Sequence, residues 1–210
     1  MNAAMNAAAT AKASTAKGEE TRAQILEAAM QMASSGGFES ITIGSLAEKT
    51  GLSKSGLFAH FGSRTELQIA TLDESARRFT EVVFLPALKA PRGLKRLRSL
   101  FDHWLVWTDR VNLPGGCPLD AAGREYDHRP GPMRDAVIER ERVVMRELAK
   151  AVHMAVETGE LKKDTDAAQF CFEFMAIVMA FYRAQLSFGK EAAVKRAAAA
   201  FDRLIGQARA

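Results

Sequence analysis

The sequence predicts an all-α protein, in which an N-terminal block of three short helices containing a helix-turn-helix precedes a larger helical C-terminal domain. Three observations predict it. Apolar residues recur at three- and four-residue spacing along most of the chain, capping residues and glycines cut that pattern into helix-length pieces, and no segment reads as a strand.

Residues 1–18 are an alanine-rich leader, expected to be a flexible arm. From Glu19 to Ser35, Ile25, Ala28, Ala29 and Met32 share one face of a first amphipathic helix, and Gly36-Gly37 stops it. Thr42 is placed to cap a second helix, Ile43–Thr50, closed by Gly51. After a turn of about three residues, Ser53 caps a third helix, Lys54–Phe61, the tight connection that a helix-turn-helix needs. Ser63 and Glu66 form an S-x-x-E capping box for a long fourth helix running to Leu85, which Pro86 and then Pro91 break. These elements set units at 1–18, 19–65 and 66–210.

Helical patterning continues beyond. Gly93 to Arg110 turns Leu94, Leu97, Phe101, Trp104 and Leu105 inward, residues 112–116 form a loop, and Pro118 to Asp127 is a short helix. Arg129-Pro130-Gly131-Pro132 is a second break. Met133 to Thr158 follows, with Val137, Val144, Leu148 and Val152 on one face and Gly159 as its C-cap. The chain closes with helices from Asp164 to Phe188 and from Lys190 to Ala208, the latter with Val194, Ala198, Phe201 and Ile205 in helical register.

Composition bounds the function. With 48% apolar and 26% charged residues the chain folds as a globular protein, and no stretch offers the roughly 18 to 20 uninterrupted apolar residues of a membrane span. The leader has no basic start followed by a compact Leu/Val/Ile run, so it is a poor signal peptide and a cytoplasmic location is expected. Cys117 and Cys171 lie far apart without a CxxC pattern, which argues against a disulfide framework and a zinc site; no metal or cofactor is expected. His103, Cys117, Glu125 and His128 are irregularly spaced and lack an activating third group, so the chain reads as a non-enzyme. The net charge of +4 is too mild to name a polyanionic partner. In residues 1–70, Lys12, Lys17, Arg22, Lys49, Lys54 and Arg64 are matched one for one by glutamates, so a nucleic-acid site must arise from position rather than bulk charge.

Position supplies one. Leu46, Ala47, Leu52, Leu57 and Phe61 lock the second helix against the third, leaving Lys54, Ser55, Phe58, Ala59 and His60 to face a major groove. The stretches Thr21-Arg22-Ala23-Gln24-Ile25-Leu26, Gly37-Phe38-Glu39, Ile41-Thr42 and Gly51 through Leu67 resemble, in order and spacing, the DNA-binding domain of TetR-type repressors. The resemblance implies a homodimer on a palindromic site in double-stranded DNA, released by a small hydrophobic or thiol-reactive effector held in the C-terminal domain. Carried over by position, Arg22, Thr42 and Lys54 contact phosphates, Ser55, Gly56 and His60 lie at or near the DNA, and Gly44, Ser45 and Ser53 border it. Lys12 and Lys17 reach an adjacent groove as an arm. Phe58 stands where the family usually has tyrosine and lacks its phosphate-binding hydroxyl. Ala59, Gly44 and Ser45 likewise replace longer side chains, so base readout is sparse; a helical adaptor without DNA binding is the alternative these departures raise.

Two sensor candidates follow. Cys117 lies between Gly115-Gly116 and Pro118 at a helix start, where amides and dipole lower a thiol's pKa; the alternative is a small buried packing residue. The Gly115-Gly116-Cys117-Pro118 segment, with Arg129 to Arg134 downstream, also resembles one TetR subgroup. Phe101, Trp104 and Trp107 with His103, Tyr126, Met175 and Met179 are candidates to line an apolar effector cavity, the alternative being ordinary core. The penultimate helix carries more apolar side chain than one intramolecular seam needs. Helices 165–188 and 190–208 are therefore expected to pair with a second copy as a four-helix interface, unless the first is simply a buried core helix.

Overall fold

Helix α1, Asn2–Gly36, buries Ile25, Leu26, Ala29 and Ala33 on one face and ends where Gly37 takes a φ of +74° that L side chains rarely adopt. The structure is a computed structural model that describes the backbone of residues 2–210 and the side chains of residues 17–210. The helix runs on from Asn2 in place of the flexible arm 1–18 and the start at Glu19 that the sequence predicts; the side chains of residues 1–16, Lys12 among them, lie outside the described residues. The Gly37 turn drops Phe38 into the core through a 3₁₀ turn, Phe38–Ser40. Helices α2, Ile43–Thr50, and α3, Lys54–Phe61, have the bounds the sequence predicts, because each carries its own local stop signals. Thr42 and Ser45 form a reciprocal capping box at α2, Gly51 leaves it with φ of +71°, and Ser53 Oγ accepts from Gly56 N at 3.1 Å at the start of α3. Leu46, Leu57 and Phe61 are buried between the two helices, with Ala47 and Leu52 packed against them.

Two expectations change at α4, Arg64–Phe79. Ser63 Oγ does accept from Glu66 N at 3.1 Å, but the Ser63 amide is taken by the Phe61 carbonyl, so only half of the box forms. Nor does the helix break at Pro86. It winds through a π-helical turn, Thr80–Phe84, in which the Leu85 amide reaches back to the Thr80 carbonyl, and continues as α5, Leu85–Leu88. Proline has no N–H for the carbonyl four residues earlier and its ring crowds that carbonyl; the wider turn relieves both.

The C-terminal domain comprises α6, Leu94–Arg110, α7, Pro118–Tyr126, α8, Pro132–Glu157, α9, Ala167–Phe188, and α10, Lys190–Ala208. Thr158 rather than Gly159 caps α8. Gly159, at φ +71°, is the next residue, and the Glu160 amide closes on Ala155 O at 3.1 Å while the Gly159 amide bonds Val156 O at 2.9 Å, a Schellman ending. Aromatic rings fill the core: Phe101 stacks on Phe201 at 4.1 Å, and Phe79 meets Trp104 and Trp107 edge-on at 4.7 and 5.3 Å. Among the described residues there is no strand, only an isolated antiparallel bridge between Leu161 and Arg209.

Helix α9 buries Phe170, Cys171, Phe174, Val178 and Phe181 against this core and leaves Phe172, Met179 and Leu186 exposed at 66%, 55% and 78% on its opposite face. It is not the fully buried helix that stood as the alternative. Its length and mean hydropathy match those of a membrane-crossing helix, but Glu173 and Arg183 interrupt it, so the expectation of no uninterrupted apolar span stands. A second core runs under the N-terminal block, and Ala122, Tyr126, Met133, Ala136 and Val137 of α7 and α8 complete it.

Candidate nucleic-acid interface

Helix α3 offers the surface. Leu57 and Phe61 face inward, so the 3.6-residue period leaves Lys54, Ser55, Phe58 and Ala59 in solvent with Gly56 and His60 half-buried beside them. Phe58 is 48% exposed with no apolar partner required by the fold. Arg22 of α1 is exposed, with its guanidinium 5.0 Å from the centre of the Phe61 ring at the end of α3. Thr42 and Gly44 are exposed at the start of α2, where Thr42 caps the Ser45 amide and the amides of Ile43 and Gly44 ahead of it give an anion-binding end. The hydroxyls of Thr42 and Ser45 lie 2.8 Å apart and hold each other, so that end is rigid. Lys17 is exposed on α1. Apart from Lys12 and Lys17, the residues singled out from the sequence lie on α2, on α3 and at the adjoining part of α1.

Sequence reasoning missed the residues that fix this surface in place. Arg64 donates from Nε to Ile41 O at 3.0 Å and from Nη2 to Glu39 O at 2.8 Å and to the Glu39 carboxylate at 2.9 Å. That bond, aided by Tyr126 and Arg129, holds the Glu39 carboxyl below its ordinary pKa. Buried Gln68 donates to Phe38 O at 2.8 Å. From the C-terminal domain, the Glu125 carboxylate accepts from the amides of Phe38 at 2.9 and 3.1 Å and Glu39 at 3.1 Å, and Tyr126 donates to Glu39 at 3.2 Å. Alongside, the Gly116 amide bonds Ser34 O at 2.9 Å and the Gly115 amide bonds Ser34 Oγ at 3.0 Å; a Cβ on Gly115 would overlap the Ser34 carbonyl.

The sensor candidates fare differently. Cys117 does sit at the N-terminus of α7, but burial pushes its thiol up to about 11 despite the α7 amides and the Tyr182 hydroxyl beside it, so it is not the lowered, reactive thiol that position alone suggests. Cys171 is buried core, as expected, and its thiol is also pushed up to about 11 by desolvation. Phe101, Trp104 and Trp107 are close-packed, with Trp107 Nε1 donating to Tyr182 Oη at 3.0 Å. His103 is half-buried with Nδ1 2.7 Å from Ser99 O, and Met175 packs on the edge of the same core. Tyr126 belongs to the other core and Met179 faces solvent, so the seven residues do not surround one cavity. A cleft of about 350 Å³ lies instead between the π turn with α5, α6 and α8, lined by Phe84, Leu88, Arg96, Leu100, Val143 and Met154 among others. Its one sequence signal was Pro86 inside an apolar helical run.

Comparison with known proteins agrees with this architecture. Residues 25–71 match the bacterial regulatory proteins of the tetR family, and residues 93–201 match the tetracyclin repressor-like C-terminal domain. The HTH-type transcriptional repressor AcnR of Corynebacterium glutamicum is 39% identical over 67 residues, 32% of this chain; the match spans only 36% of that repressor's length. A TetR-family transcriptional regulator of Agrobacterium tumefaciens superposes with a TM-score of 0.79 over 92% of this chain and 100% of its own, at 17% identity. AibR, solved with isovaleryl coenzyme A and operator DNA, superposes with a TM-score of 0.68 over 90% and 98%, at 20% identity. Such identities speak to the fold alone. With the two family domains in order along the chain and covering more than half of it, this protein belongs to the TetR family of DNA-binding transcriptional regulators, which are not enzymes.

Proposed function

We propose that the chain is a homodimeric repressor that holds a palindromic operator through two copies of α3 and releases it when a small apolar effector enters the C-terminal domain. The observation that carries this reading is the solvent-facing side of α3, a helix braced by α2 and α4 with its other face open to a groove. Lys54, Arg22 and the first amides of α2 take phosphates, and Ser55, Gly56, Phe58 and His60 meet base edges or sugars. Dimerisation uses the exposed apolar stripe of α9, Phe172, Met179 and Leu186, together with α10. The AcnR name supports repression, and AibR, with a ligand and operator DNA in one complex, supports effector control. Such a protein works in the cytoplasm, where the chromosome lies. The Gly115-Gly116-Cys117-Pro118 segment, which supports a subgroup assignment, has a structural use here, tying the start of α7 to Ser34.

A band-shift assay on DNA upstream of the protein's own gene tests the reading. Lys54→Ala should weaken binding about uniformly across sequences and reduce the slope of log affinity against log salt by about one. An unchanged shift would remove Lys54 from the interface, and a chain that stays monomeric at working concentration would remove the dimer.

A further inference from the structure

The cleft beside the π turn has apolar walls with a single uncommitted charge. Phe84, Leu85, Leu88, Leu100, Val143 and Met154 supply the walls, and Leu85, Leu88 and Val143 at the mouth are exposed at 50%, 54% and 37%. Large apolar side chains left in solvent around a concavity mark a binding site more often than a packing accident. The polar groups at the rim are mostly spoken for. Thr80 Oγ1 donates to Ala76 O at 2.9 Å, and Lys150 pairs with Glu147 at 2.8 Å.

Arg96 is the exception. Its guanidinium donates to Ala90 O at 3.0 and 3.2 Å, to Leu88 O at 3.2 Å and to the thioether of Met154 at 3.4 Å, yet it forms no ion pair among the described residues. These partners satisfy its hydrogens without cancelling its charge, and one of the five donors faces sulfur, a weak acceptor. A half-buried cation at the edge of an aliphatic trough favours an anion above all other ligands. The walls hold one aromatic ring and no free donor along their length, so the remainder of the ligand is an aliphatic chain. At about 350 Å³ the space sits near the lower end of the roughly 300–1,000 Å³ usual for small ligands.

We propose that this cleft binds an amphipathic carboxylate, its alkyl chain laid between Leu88, Leu100 and Val143 and its head group on Arg96. The proposal rests on the effector-released repressor reading and names the effector's chemical class. It also places the ligand against the turn where α4 departs from α-helical winding. Since α4 continues into the DNA-binding block, a chain wedged beside Phe84 acts on the helix that carries α3.

Decanoate at submicellar concentration is the probe, with decanol and decyltrimethylammonium as uncharged and cationic controls. Calorimetry on the intact protein should show decanoate binding at least tenfold tighter than either control. Arg96→Gln should reduce that affinity at least tenfold, with Arg96→Lys recovering part of it. Because Arg96 also holds the carbonyls that end α5, Val143→Trp is the second variant; it fills the mouth from an exposed position and should abolish binding while leaving the melting temperature within a few degrees. Equal binding of decanol, or undiminished decanoate binding by Val143→Trp, overturns the assignment. A protein that binds its upstream DNA but never decanoate loses this proposal and keeps the repressor reading; one that binds decanoate but no DNA loses the repressor reading instead.

Discussion

The two cores of this molecule are built on different plans. Under α2 and α3 the buried residues are mainly aliphatic, Ile25, Leu46, Leu57 and Leu67, and the unit is closed by directional bonds from Arg64, Gln68 and Glu125. Around α6, α9 and α10 a cluster of rings, Phe101, Trp104, Phe174 and Phe201, packs at the centre of an otherwise largely aliphatic core, and a large apolar stripe of α9 remains uncovered. The difference teaches that the reading block is fixed by directional bonds, some of them supplied by α7, whereas the C-terminal domain is held by packing and keeps an outer face that still needs a partner. Hydrogen bonds fix geometry to tenths of an ångström, while aromatic packing fixes volume and tolerates rearrangement at its edges.

The largest expected effect tests the aromatic core. Phe174 is fully buried and lies 5.5 Å from both Trp104 and Phe201 and 5.7 Å from Phe101. Phe174→Ala leaves a cavity that the three rigid aromatic neighbours close poorly, and urea denaturation should report a loss of about 3–5 kcal/mol. A loss under about 1 kcal/mol would mean the rings collapse freely into the gap, and that this core is looser than its contacts imply.

The clasp between the two regions comes next. Glu125→Ala orphans the amides of Phe38 and Glu39, which should cost about 1–3 kcal/mol. The sharper readout is coupling. With the clasp gone, effector should release DNA less completely, although operator affinity without effector changes little. Gly115→Ala attacks the same seam from the other side, since the new methyl meets the Ser34 carbonyl and must push α1 away from the loop. If both variants leave effector response intact, the seam is only structural.

What was legible in the sequence follows the same division. The bounds of α2 and α3 could be read because Thr42, Ser53 and Gly51 act on amides and carbonyls within four residues of themselves. The outward face of α3 was legible by elimination once Leu57 and Phe61 were assigned inward. Glu125 acts on amides 86 and 87 positions away, and Arg64 on carbonyls 23 and 25 positions away, so nothing in local spacing marks them. The effector cavity assembled from aromatic residues failed for a related reason. Helical periodicity says which residues point inward but not which of two cores they enter, and Tyr126 enters the one beneath α3. Pro86 was correctly seen as incompatible with an ordinary α-helical turn, but it widened the helix rather than ending it.

The smallest expected effect separates position from burial at Cys117. A helix N-terminus favours thiolate, whereas enclosure by the aromatic core disfavours it, and enclosure wins, raising the thiol from 9.0 to about 11. Cys171 is raised over the same interval by desolvation alone. The sign follows from proton binding: between pH 9 and 11 the unfolded chain gives up thiol protons that the folded chain keeps, so stability present below pH 9 is lost as pH rises toward 11. The urea midpoint should therefore hold steady from pH 7 to about 8.5 and fall beyond it, and Cys117→Ala should make that fall shallower. At neutral pH a thiol-modifying reagent should label Cys117 far more slowly in the native protein than in urea, and should not dissociate the operator complex before the protein unfolds. Rapid native labelling with release of DNA, spared by Cys117→Ser, would show instead that the dipole of α7 prevails in an open form of the C-terminal domain, and the aromatic core would then be the more mobile of the two by a wide margin.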